Sequence, residues 1–222
     1  MEKHKIIIIT IISTLLSLIF VLVSYFGINR YLSLHWGRCD SYIREYSKLP
    51  KANNKRVIIS FTTTPDKLDK IKPMINSILD QTVRVNQILL VFPYKYKDYK
   101  YVLPKYLKDT VNVFPIGREY GKGTKLIPVL LREKESDTII IALDDNIVYG
   151  KDFVETMIDE SNKNPGNVLV DKSGAILVKP EYFECNIIDR ENDNCDIKWI
   201  IDKAKNKWKV INYIENYRSF NK

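Results

Sequence analysis

The apolar and polar positions divide the chain into one long unbroken apolar stretch followed by short segments of alternating strand-like and helix-like period. From Ile6 to Asn29 no side chain is charged, and Ile, Leu, Val and Phe dominate. As a helix rising about 1.5 Å per residue, this stretch spans roughly 30 Å or more, enough to cross a hydrocarbon core. A cleaved signal peptide is the competing reading, but its apolar core is usually about 7–15 residues and ends in small residues. Tyr25, Phe26, Asn29 and Arg30 make a poor cleavage site. The pattern therefore predicts a short tail over 1–5, a transmembrane anchor over 6–29 and a stem or linker over 30–54. A helix is expected within the stem around Ser41–Ser47. Lys3 and Lys5 precede the anchor while Arg30 and Arg38 follow it, so the charge bias across it is slight. A short tail with the larger part on the far side is the commoner arrangement, which favours a type II protein whose domain faces the lumen or exterior.

Beyond residue 54 the period changes. Arg56–Thr62 (RVIISFT) is a short β-branched run bounded by polar residues and reads as a buried strand. Pro65 and Asp66 open a helix expected over Leu68–Asp80, with Ile71, Met74, Ile75, Ile78 and Leu79 on one face. Gln87–Phe92 is a second strand closed by Pro93, Tyr94–Tyr101 a Lys/Tyr-rich loop, and Pro104–Lys108 a short helix. Val111–Pro115 is a third strand, and the glycine-punctuated loop Gly117–Gly123 leads to a helix expected over Thr124–Lys134. Thr138–Leu143 (TIIIAL) is apolar along its length and so is expected at the centre of a sheet. A helix over Phe153–Asn162, strands over Asn167–Val170 and Ala175–Val178, a polar loop and a last helix near Asp196–Lys205 complete the chain. Strands alternating with helices at this spacing imply an α/β domain over 55–222 with a mostly parallel central sheet flanked by helices. Ligands of such sheets sit at the carboxyl ends of the strands, here the residues after Thr62, Phe92, Pro115 and Leu143.

The formal net charge of +8 raises the question of nucleic acid. The lysines are scattered among Tyr, Trp and Asp, with no arginine-rich run, zinc spacing or helix-turn-helix signature, so a nucleic-acid partner is not expected. A solvated basic surface is the plain reading, and attraction to an anionic substrate or lipid head groups the functional one. Cys185 and Cys195 can pair in an oxidising lumen, leaving Cys39 odd. Only His4 and His35 are present, which makes a structural zinc site unexpected and removes Ser-His and Cys-His catalysis from the domain.

The sharpest chemical feature is Asp144-Asp145-Asn146, directly after the TIIIAL strand. Adjacent carboxylates at a strand's end repel one another and lose solvent, and a divalent cation or hydrogen-bond donors make them tolerable. Mg²⁺ and Mn²⁺ take oxygen ligands and commonly join a carboxylate to substrate phosphates. An acidic turn capping the following segment is the alternative.

Four segments in order, Arg56–Pro65 (RVIISFTTTP), Ser77–Gln81 (SILDQ), Gly121–Leu126 (GKGTKL) and Thr138–Gly150 (TIIIALDDNIVYG), resemble the GT-A-type glycosyltransferases, in particular family-2-like ones. The resemblance covers roughly Lys55 to Asp202. It implies a Rossmann-like GT-A domain, a nucleotide-diphosphosugar donor, Mn²⁺ or Mg²⁺ at an acidic motif, and a glycan, protein or lipid acceptor. By the same resemblance Thr62, Thr63 and Thr64 lie where base and ribose bind, Lys67 and Lys125 meet phosphate, and Asp144 contacts ribose or metal. Asp145 and Asn146 complete the metal site, and Gly174 starts the strand closing over the sugar. Asp196, with Asp193 as near rival, is the acceptor base of an inverting transfer. Asn146 departs from the pattern, which has aspartate there: an amide oxygen coordinates a cation but brings no charge. The alternative is therefore a catalytically weak or inactive membrane-anchored module that binds nucleotide-sugars or serves structure.

Two other chemistries are excluded on spacing. The loop Gly117–Thr124 has three residues between its first glycines and Gly after Lys122, whereas a phosphate-binding P-loop needs four, with Ser or Thr after the lysine. A haloacid-dehalogenase-type phosphatase would need an Asp two residues beyond Asp144, where Asn146 stands.

Overall fold

The computed structural model describes residues 2–25, 27–94, 102–183, 202–204 and 208–211. The expectations for residues 95–101, Cys185, Asp193, Cys195 and Asp196, and most of the last helix, lie outside the described residues. The chain forms two compact units, Met1–Arg38 and Cys39–Lys222.

The first unit holds α1 (Glu2–Tyr25) and α2 (Ile28–Trp36). Lys3–Leu22 is long and apolar enough to cross a membrane, and its Ile, Leu, Val and Phe side chains lie exposed. Hydroxyls within it turn back onto the helix. Thr10 donates to the Ile6 carbonyl at 2.9 Å, Thr14 to Thr10 at 3.0 Å and Ser17 to Thr14 at 2.9 Å, which is how such groups are satisfied where no water is at hand. Gly27, at φ +67°, separates the two helices in the left-handed conformation that favours glycine.

The second unit is built on a seven-stranded sheet ordered β3-β2-β1-β4-β6-β5-β7. The strands are β1 (Val57–Phe61), β2 (Gln87–Pro93), β3 (Asn112–Ile116), β4 (Ile139–Ala142), β5 (Val168–Asp171), β6 (Ile176–Val178) and β7 (Trp208–Ile211). The first four run parallel, β6 lies antiparallel between β4 and β5, and β7 pairs parallel with β5. Alternate side chains serve opposite faces. Val57, Ile59, Phe61, Ile139 and Ile141 pack on one side, with α4 (Lys72–Leu79), α5 (Lys105–Thr110) and α7 (Phe153–Lys163). Ile58, Leu89, Val91 and Ile140 pack on the other, with α6 (Ile127–Arg132).

The order follows from crossover handedness. Connections through α4 and α5 carry the chain one way along the sheet on one face; the return from β3 to β4 must use the other face to stay right-handed. β4 therefore lands on the far side of β1. The adjacent carboxyl ends of β1 and β4 form the switch point.

Several elements differ from expectation. The first helix of the domain begins at Lys72 rather than Leu68, after a 3₁₀ turn at Pro65–Lys67. The next long one begins at Ile127 rather than Thr124, after a 3₁₀ segment over Gly121–Lys125. In both cases a proline, Pro73 or Pro128, occupies the first turn and its ring excludes another helical turn before it. β7 was not expected; it is a short edge strand with Val210 half-exposed and Ile211 buried.

Part of the stretch read as linker joins the folded unit. α3 (Cys39–Tyr46) and Ala52 pack onto the core through Tyr42, Ile43 and Tyr46. The buried Cys39 thiol donates to Asn76 Oδ1 at 3.0 Å, and burial raises its pKa. Tyr46 accepts a 2.8 Å hydrogen bond from the Val85 N–H, and burial pushes its phenol up to about 12.

Tyr46→Phe leaves the Val85 N–H without that acceptor and should cost about 1–3 kcal/mol in urea unfolding followed by circular dichroism. Because the folded state keeps a proton that the unfolded chain releases near its ordinary value of 10.0, this contribution is whole below pH 10 and lost up to about 12. The Phe variant should therefore lose stability less steeply over that window.

Candidate functional site

The residues after β1 and β4 meet at the switch point. Thr63 donates to Asp145 Oδ2 at 2.8 Å. Lys67, at the end of the 3₁₀ turn, places Nζ 3.5 Å from Asp145 Oδ1 and 3.1 Å from Asn146 Oδ1. The pair is unequal: the Asp145 side chain is 10% exposed and that of Lys67 36%. Asp144 Oδ1 accepts from both the backbone N–H of Asn146 (3.0 Å) and its side-chain amide (3.1 Å), an Asx turn.

This turn is held from below. The buried Tyr149 hydroxyl accepts from the Asp144 N–H at 2.7 Å and lies 3.2 Å from its carbonyl; burial, reinforced by the carboxylates of Asp144, Asp171 and Asp145, keeps the phenol protonated. Ser77 accepts from the Tyr149 N–H at 3.0 Å. Gln81 donates to the Gly150 carbonyl and accepts from the Val154 N–H at 2.9 Å. The SILDQ segment on α4 thus fixes the backbone that carries the acids. Sequence reasoning missed Tyr149, whose only signal was its place in the segment following the acids.

Lys125 approaches from the opposite face of the sheet. It is 5% exposed. Ser60 on β1 donates to its carbonyl, and its Nζ donates to the Gly174 carbonyl at 3.2 Å. Burial lowers the ammonium pKa, the Asp144 and Asp145 carboxylates oppose that shift, and Lys122 adds to it. Gly174, at φ +84°, sits in the β5–β6 turn, where its N–H donates to the Asp171 carbonyl at 2.9 Å. Asp171, buried and also unforeseen, accepts from the Ser173 N–H at 2.8 Å. Since β5 runs in the direction of β4, this turn lies at the same end of the sheet.

Of the residues expected at a site, Thr63, Lys67, Lys125, Asp144, Asp145, Asn146 and Gly174 thus gather at one end of the sheet. Thr64 instead hydrogen-bonds Asp66 and holds that carboxyl below its usual range. Thr62 lies beside Thr63, half-buried. Asp193 and Asp196 lie outside the described residues. The fit to a divalent ion rests on donor chemistry. Two carboxylates and an amide supply oxygen atoms suited to Mg²⁺ or Mn²⁺, but among the described residues no three His, Cys, Asp or Glu groups could hold a metal together. Lys67 holds the Asp145 and Asn146 oxygens that such an ion would use.

No protein-family model and no curated protein matches the sequence. Among solved structures, that of HddC from Yersinia pseudotuberculosis is similar, with 13% identity and a TM-score of 0.46 over 71% of this chain and 89% of that one.

Replacing Lys125 with Met should remove a pH dependence. Between its lowered folded value and the ordinary 10.5 the unfolded chain binds the extra proton, so the wild-type contribution to stability rises with pH toward 10.5. Melting temperatures across alkaline pH should climb less in Lys125→Met than in the parent.

Proposed function

We propose that this chain is a glycosyltransferase that moves a sugar from a nucleotide-diphosphosugar to an acceptor hydroxyl, tethered to a membrane by α1. The observation that carries this reading is the cluster at the β1/β4 switch point, where Lys67 and the buried Lys125 flank two carboxylates at a sheet end that suits a nucleotide.

In this reaction the acceptor oxygen attacks the anomeric carbon with inversion as the bond from that carbon to the diphosphate oxygen breaks. Asp196, or Asp193 as its rival, takes the acceptor proton. The leaving diphosphate gains negative charge, and Lys125 and Lys67 stabilise it from two sides; Lys125, already buried in place, needs little reorganisation to do so. Thr62, Thr63 and Thr64 offer hydroxyl and backbone groups to the ribose and base. Gly174, in a turn without a side chain to intrude, borders the sugar. A divalent ion held by Asp145 and Asn146, with Asp144 beside them, would supply further neutralisation of the same phosphates.

A second reading has its own observation. Asn146 brings no charge where an acid would strengthen cation binding, which favours a nucleotide-sugar-binding module with little or no turnover.

Mass-detected sugar transfer or donor hydrolysis over a panel of UDP- and GDP-sugars, with Mn²⁺ present, separates the two. Turnover that falls at least about a hundredfold in Asp145→Ala, with folding unchanged, supports the transferase. Donor-induced stabilisation with no turnover supports the module, and neither response overturns both. For the anchor, the full chain should remain with the membrane pellet after carbonate extraction and leave only with detergent. Release by carbonate alone would show that α1 does not span the bilayer.

A further inference from the structure

The ammonium of Lys67 reaches two neighbouring side chains at once, Asp145 Oδ1 at 3.5 Å and Asn146 Oδ1 at 3.1 Å. The other Asp145 oxygen accepts from Thr63 at 2.8 Å, and Asp144 Oδ1 is turned toward Asn146. A lysine so placed does part of what a bound cation would: it neutralises Asp145 and gives the Asn146 carbonyl a positive partner.

We propose that Lys67 is a built-in counter-cation that competes with divalent metal ions for Asp145 and Asn146, so that metal enters only as this side chain swings away. Two observations make the swing feasible. Lys67 is one-third exposed, so its ammonium has solvent to move into, whereas Asp145 is largely covered and stays. Lys67 also sits on a 3₁₀ turn separated from α4 by residues 68–71, so its side chain can relocate without disturbing a long helix. Once displaced, the ammonium can pair with an anion instead. Exchange of partners from carboxylate to phosphate keeps the ammonium paired with an anion after metal has taken its place. The competition does not depend on the reading above; identifying the displacing anion as a nucleotide diphosphate does.

The test measures Mn²⁺ binding to the purified full chain in detergent, with Mn²⁺ alone and no nucleotide, by electron paramagnetic resonance of the free ion. Removing a positive charge this close to the ligand oxygens should tighten binding at least about tenfold in Lys67→Met. Lys67→Arg keeps the charge and should bind like the wild type. Lys67→Met combined with Asp145→Asn should lose the gain. If Lys67→Met fails to fold by circular dichroism, Lys67→Ala carries the same expectation. Equal or weaker binding in the uncharged variant, no binding in either protein, or a gain that survives Asp145→Asn would each overturn the proposal. Absence of sugar transfer with every donor would sink the transferase reading and leave these binding curves unmoved.

Discussion

Two adjacent carboxylates at the mouth of a dry sheet must be neutralised, and the second unit is arranged around that need. Asp144 and Asp145 follow a strand buried along its whole length, so neither can rely on water alone. Their repulsion is relieved in three ways. An Asx turn points the Asp144 carboxylate toward Asn146, while Thr63 and Lys67 take the two oxygens of Asp145. Lys125 supplies a further positive field from a buried position. These partners come from three segments, so the acids tie the stretch after β1, the 3₁₀ segment before α6 and the end of β4 into one electrostatic unit.

The topology explains why these segments meet. Right-handed crossovers place β1 beside β4 although their paired positions, Val57 with Ile139 and Ile58 with Ile140, lie 82 residues apart in the chain. The β5–β6 hairpin then adds a second wall. It interrupts the parallel run with one antiparallel strand and brings its turn back to the same end of the sheet. Below the cluster, Tyr149, Ser77 and Gln81 use backbone hydrogen bonds to hold the acid-bearing loop against α4. Such links constrain the position of the acids without adding charge.

Much of this was legible in the sequence because it rests on local pattern. RVIISFT, QILLVF and TIIIAL are continuous apolar runs, and each became a parallel strand of the interior. The acidic motif could be located because it follows the most apolar of them. The helix starts were misplaced for a single reason: Pro73 and Pro128 lie inside apolar periodicity that continues on their N-terminal sides, and ring sterics override that period. The contribution of α3 to the core could not be read, since Tyr42, Ile43 and Tyr46 look like an amphipathic segment whatever they cover. Nor could the Lys67 contact, because a lysine 78 residues from Asp145 gives no local sign of its partner.

The tie between Lys125 and Gly174 uses a main-chain oxygen. Drift in the side chains at Lys172 and Ser173 would therefore leave the acceptor in place. The restraint at Gly174 is conformational: an added Cβ there would meet nothing within 4 Å, but φ +84° disfavours any L side chain. The exposed position 172 can thus change the rim of this hairpin while the lysine beneath keeps its anchorage.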